Sequence, residues 1–299
     1  MPDTVVPERA AQQRPLPERA GREKVVTVRA RSPWRWALRV LVVGYLFFLV
    51  VWPVALVAKQ TFSRGLGPVL AALQQPDVVF AFELTLSIAF WAVLINTAFG
   101  IVISLLLTRY TFPGRRVLSA LIDLPLSVSP IVVGLALLLV YSGRTGWIGH
   151  ALESVGLQII YAPPGMILAT AFVSLPLMIR ELVPVLTEIG TDAEQAARSL
   201  GASPLQSFLQ ITLPSIKWAL LYGVVLSLAR SLGEFGAVKI VSGGVAMRTQ
   251  SATLLVEQRY QQFGPENTIT AYTASFILAL IAVLALVVVT SLRPKENHR

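Results

Sequence analysis

Three charged side chains, Arg230, Glu234 and Lys239, stand inside one apolar stretch of the sequence, residues 218–242. A charge at the centre of a membrane helix costs roughly 2.5–3.5 kcal/mol on insertion scales, so each needs a reason to be there. Arg230 and Glu234 are four residues apart, the spacing of neighbours on one helix face, where an ion pair reduces that cost. Two chemistries fit the pair. One is structural, a lock of this helix against its neighbours. The other sets the guanidinium, whose planar fork matches an oxyanion, along the path or gate of an anion. Lys239, nearer the end of the stretch, either snorkels to the interface or helps to attract an anion. Gly233 and Gly236 supply backbone that hinges or packs closely.

Other chemistries are excluded by residue type. The 299-residue chain has no Cys and two His, His150 and His298, which removes thiol catalysis, disulfide scaffolds, Cys-ligated zinc and a histidine metal cluster. A nucleotide site would need a glycine-rich phosphate loop ending in Gly-Lys. The five lysines follow Glu23, Ala58, Ile216, Val238 and Pro294, so no such pair exists and no ATP or Mg site is expected in this chain. An aspartyl intramembrane protease needs two membrane aspartates, and only Asp123 lies in a span; His150 has no nucleophile motif beside it. Asp123 precedes Leu124-Pro125 and is expected to cap a backbone break at that proline. Arg180-Glu181 is expected to anchor a helix at the membrane edge.

The elements that position these residues are membrane helices. Apolar and aromatic residues make up 55% of the chain and charged residues 14%, against roughly 25% charged in an ordinary soluble domain. About 20 apolar residues at 1.5 Å each cross a bilayer core. Residues 40–58, 84–108, 154–179 and 267–292 are free of charge, 117–143 holds only Asp123, and 218–242 is the stretch above. The expected fold is therefore all-α and integral to the membrane, with six spans over residues 38–292. Residues 1–37 form a basic, Pro- and Arg-rich tail expected to be disordered and cytoplasmic, and 293–299 a short second tail. With the tail inside, the inner segments carry 18 Lys and Arg and the outer loops six, which puts both termini in the cytoplasm. Trp34, Trp36 and Trp52 suit interface belts around the first span.

The loop over residues 186–217 is the most structured polar stretch. Thr191-Asp192-Ala193-Glu194 fits a capping box opening a short helix that stops at Gly201. Ser203-Pro204 opens a second short helix with Leu205, Phe208 and Leu209 at i, i+3, i+4 spacing, ended by Leu213-Pro214. Two short helices with an apolar stripe either seat in a partner's groove or lie on lipid headgroups. Arg198 is the only base between Arg180 and Lys217, so nucleic-acid binding is not expected.

The run Gln195-Ala196-Ala197, three residues, Gly201, nine residues, Ile211-x-Leu213-Pro214 resembles the Glu-Ala-Ala loop of binding-protein-dependent ABC importer permeases. The Glu position is held by Gln195, with Glu194 one residue earlier. Phe112-Pro113-Gly114-Arg115, Asp123-Leu124-Pro125 with Ser129-Pro130, Arg180-Glu181-Leu182-Val183-Pro184, residues 218–223 and Gly233-Glu234-Phe235-Gly236-Ala237-Val238 are similar to the sulfate and molybdate permeases, closest to their CysW type.

The resemblance implies a type I ABC importer permease fold and import of sulfate, and of thiosulfate beside it, with molybdate or tungstate as the alternative. It implies that Glu194, Gln195, Ala196, Ala197, Gly201, Ile211, Leu213 and Pro214 dock a cytoplasmic ATPase that binds the ATP and Mg. The implied partners are a second sulfate permease subunit, two ATPase copies and an extracytoplasmic sulfate-binding protein, at the bacterial inner membrane. A secondary anion transporter is the reading from another class; no internal repeat longer than Leu-Pro-Leu, at 124 and 175, supports it.

Overall fold

The computed structural model describes residues 33–292, which fall into two compact units divided between Val50 and Val51. Most of the expected tail over 1–37, and all of 293–299, lie outside the described residues. Residues 33–37 do not belong to a tail, because helix α1 (Pro33–Leu46) begins at Pro33, the helical position that a missing amide suits. In the first unit α1 exposes Trp36, Val40 and Val43, and Phe47 just after it is exposed too, all suited to an apolar surrounding.

The second unit is helical throughout its ordered elements: α2 (Trp52–Thr61), α3 (Leu66–Leu73), α4 (Pro76–Arg109), α5 (Arg115–Ser127), α6 (Pro130–Tyr141), α7 (Gly149–Ser154), α8 (Pro163–Ile189), α9 (Asp192–Ser199), α10 (Pro204–Ser207), α11 (Leu213–Leu232), α12 (Gly236–Ser242), α13 (Ala252–Gln261) and α14 (Pro265–Leu292). Among the described residues, five stretches are long and apolar enough to cross a membrane: Trp36–Thr61, Pro76–Arg109, Pro163–Ile189, Pro204–Leu232 and Pro265–Ser291. The pair α5 and α6, bent by 114°, brings the number to six when taken as one broken span.

That bend moves the break expected at Pro125 within the span over 117–143. Pro125 stays inside α5; the break falls at Val128 and Ser129, both extended, because Pro130 disfavours helical geometry in the residue before it. The span expected over 154–179 begins later, at Pro163, and runs on to Ile189. The stretch 218–242 is likewise two helices, α11 ending at Leu232 and α12 starting at Gly236.

Helix α8 is the centre of the unit, with Met166, Met178, Leu182 and Leu186 wholly buried. Lipid tails are as apolar as Leu, so helices associate through close packing and polar contacts rather than through the hydrophobic effect. Helix α4 obeys this rule: Ala81, Thr85, Ala89, Ala92, Asn96, Gly100 and Ser104 are buried at three- and four-residue spacing, while Phe90, Trp91, Phe99 and Val102 face outward. A Cβ on Gly100 would lie 2.4 Å from Met178 Cγ, and one on Gly223 of α11 would lie 2.8 Å from Met178 Sδ. The two glycines thus let α4 and α11 close on α8 around Met178. Toward the other end, Val133 of α6, Val173 of α8 and Ala237, Val238 and Val241 of α12 share a core with Ile88 of α4.

Candidate functional site

The 190–217 loop leaves α8 at Gly190 and forms α9 and α10 with Gly201 between them at φ +91°, the left-handed turn its sequence predicts. The local motifs divide. Ser203 caps α10 through a reciprocal box, its Oγ accepting from the Gln206 amide at 3.2 Å and its amide donating to Gln206 Oε1 at 2.8 Å. The box expected at Thr191 does not form; Thr191 makes no cap bond and instead accepts from Gln195 Nε2 at 2.8 Å. Nor does Leu213-Pro214 end the second helix. A π-helical turn at Phe208–Thr212 carries the chain into α11, its wider spacing accommodating the amide that Pro214 lacks.

Glu194 is taken from the capping box by a longer-range site. Its Oε1 accepts from Arg109 Nε at 3.2 Å, Arg109 Nη2 at 2.9 Å and Thr212 Oγ1 at 2.9 Å. Arg109 Nη1 donates to the Leu186 carbonyl at 2.9 Å. Glu194 is therefore buried, turned away from the surface that the rest of the loop presents. That surface is apolar: Leu200, Leu205 and Leu209 are 90%, 66% and 50% exposed, and Gln195 and Ala196 lie open beside them. Ala197, Ile211 and Leu213 are half-buried and Pro214 is exposed.

The second candidate region is the break after α11. Arg230 Nη1 lies 2.8 Å from Glu234 Oε2, so the expected pair forms, although Glu234 sits beyond the helix end rather than on its face. Glu234 Oε1 accepts from the Ala237 amide at 2.9 Å and so caps α12, while the Glu234 carbonyl accepts from Thr253 Oγ1 at 2.9 Å. The carboxylate side chain is 2% exposed and the guanidinium side chain 35%. Gly236 is a packing glycine, its missing Cβ leaving 3.0 Å to Pro130 Cβ; a Cβ on Gly233 would meet only ordinary contacts. Lys239 pairs with Glu257 of α13 and stands 5.2 Å from the Phe235 ring centre. Asp123 caps no break; its Oδ1 accepts from Arg180 Nε at 3.1 Å and Nη2 at 2.9 Å, joining α5 to α8.

A buried polar cluster went unread in the sequence. Asn96 Nδ2 of α4 donates to Ser174 Oγ of α8 at 2.8 Å and to Ser227 Oγ of α11 at 3.3 Å, and Ser174 meets Ser231 at 3.3 Å. At the far end from the loop, Arg259 of α13 binds Asp77 of α4 at 2.6 Å and Asn267 of α14 at 2.7 Å. The serine and threonine spacing along α4, α8 and α11 is the signal that could have found the first cluster.

A model of the family "Binding-protein-dependent transport system inner membrane component" matches residues 96–297. The sulfate transport system permease protein CysW of Synechococcus elongatus is 47% identical over 255 residues, covering 85% of this chain and 88% of its own. CysW of Escherichia coli K12 is 46% identical over 239 residues, covering 80% and 81%. Among solved structures, a chain of a bacterial alginate ABC transporter superposes with a TM-score of 0.71 at 16% identity, covering 90% of this chain and 96% of that one. A chain of the MetNI methionine ABC transporter gives 0.53 at 20% identity over 72% and 93%. At such identities these two speak to the fold.

Proposed function

The chain belongs to the binding-protein-dependent transport system inner membrane components, and we infer from that membership that it is the membrane-spanning permease subunit of an ATP-driven ABC importer for sulfate. The observation that carries the substrate is the 47% identity, across 85% of the chain, to a sulfate transport permease. Its fold is that of the type I importer permeases, and its own sequence holds no phosphate loop for ATP.

One six-span subunit makes half of a pathway. A second, related permease supplies the other half, two ATPase copies dock beneath, and an extracytoplasmic binding protein delivers the anion. The excess of 18 Lys and Arg over six supports a cytoplasmic position for the 190–217 loop and both termini at the bacterial inner membrane. The exposed Leu200, Leu205 and Leu209, with Gln195, Ala196 and Gly201, form the docking face for the ATPase. ATP binding draws the two ATPases together, and the docked loops move with them, turning the cavity outward to accept sulfate; hydrolysis resets it. Arg230, the more exposed partner of its pair, faces the anion, and Glu234 holds it there from the protein side. Gly233, Gly236 and Lys239 flank that point.

Uptake of labelled sulfate by cells lacking their own sulfate permease tests the substrate. Restored uptake that unlabelled thiosulfate suppresses and molybdate does not is the expected result. Molybdate competing better than thiosulfate would assign the chain to the molybdate or tungstate permeases instead.

A further inference from the structure

Four chain segments, one of them far in sequence from the other three, meet at one carboxylate oxygen and one guanidinium. Arg109 is the last residue of α4, Leu186 lies in the last turns of α8, Glu194 is in α9 and Thr212 is the last residue before α11. Glu194 Oε1 accepts all three of its bonds from Arg109 and Thr212, and Arg109 spends its remaining nitrogen on the Leu186 carbonyl. The side chains of the ion pair are 10% and 11% exposed, so water screens neither.

The same three spans are tied a second time by Asn96, Ser174, Ser227 and Ser231. On α4 the two ties are 13 residues apart, about 20 Å at the helical rise. Helices joined at two levels through buried polar bonds cannot slide past one another without leaving donors or acceptors unpaired. They move as one body. The upper tie ends at Ser231, beside Arg230 and two residues before the break at Gly233.

We propose that Arg109, Glu194 and Thr212 form a coupling latch that makes α4, α8 and α11 a single lever between the ATPase-docking loop and the Arg230–Glu234 break. The proposal rests on the importer reading above. Without the latch, α9 is joined to its neighbours through the glycine turns at Gly190 and Gly201, and a push on it is absorbed as a pivot of the loop. With it, the push reaches the ends of three spans together. Glu194 is then a positioning residue acting through the lever, on the face of α9 opposite the docking surface.

The test uses the whole complex, this chain with its partner permease, ATPase and binding protein, reconstituted in vesicles, and reads the sulfate moved per ATP hydrolysed. The complex is purified through this chain before reconstitution, so the ratio counts assembled complexes and a purely structural loss of assembly does not change it. Glu194→Gln, which keeps the shape and loses the charge, is expected to lower the ratio about fivefold or more, within the usual range of coupling between sites. The exchanged pair Arg109→Glu with Glu194→Arg is expected to recover a large part of it. If Glu194→Gln fails to assemble, Thr212→Val decides, since it keeps the ion pair and gives up one bond; its expected loss is about twofold. An unchanged ratio in an assembled variant overturns the latch. Wild-type vesicles without ATP-driven sulfate uptake would instead overturn the importer reading, so the two failures are distinct.

Discussion

Arg230 and Glu234 are an unequal pair, and the inequality decides what a substitution at this point reports. Glu234 is buried and already accepts a bond from the Ala237 amide, so its charge is held from the protein side. Arg230 remains 35% exposed along its side chain, available to a second anion. Arg230→Lys keeps the charge and loses the planar fork. We predict that its complex assembles as wild type while sulfate uptake falls about tenfold or more, and that Arg230→Gln abolishes uptake. Normal uptake by the Lys variant would reduce the pair to a helix lock. This pair was legible because four-residue spacing is local. The partner of Glu194 was not, since Arg109 lies 85 residues away, and the Thr-x-x-Glu pattern pointed to a cap instead. A nearly buried guanidinium and a threonine hydroxyl outcompete one helix-end amide for the same oxygen, because leaving that charge unpaired costs about 3–5 kcal/mol.

At the scale of elements, the 190–217 loop tests whether its exposed face binds another protein. Gly201 sits at φ +91° with open space where a Cβ would project, so a side chain there clashes with nothing. Backbone strain alone costs about 1 kcal/mol, too little to unfold the loop. Gly201→Asp, which adds a charge beside Leu200 and Leu205, is expected to abolish copurification of the ATPase while the two permeases stay associated. Intact copurification would remove the docking assignment. The loop's two turns were legible from Gly201 and from Ser203-Pro204, where one residue fixes the local geometry. Its continuation through Pro214 was not, because a π-helical turn hides a proline that sequence rules treat as a stop. The 114° break between α5 and α6 is carried by Ser129-Pro130, a pair visible in the sequence, whereas the break was expected a few residues earlier, at Pro125.

Across the described residues, burial differs from one candidate span to the next. Over the most apolar window of each candidate span, 56% of residues are buried in α8, 33% in α4 and 17% in α14. Number of spans and fold class followed from hydropathy. Which spans are central did not follow, since it depends on small residues such as Ala89, Asn96 and Gly100 facing inward. On the importer reading, a partner's ATP, and no ion gradient, moves sulfate through this chain. The most direct measurement is labelled sulfate uptake by sealed vesicles holding the full complex and the binding protein, with ATP supplied on the ATPase side and ionophores dissipating every gradient. We expect uptake that requires ATP and survives the ionophores. Uptake that collapses with the gradients, or that proceeds without ATP, would contradict it and make the chain a secondary anion transporter on a permease fold.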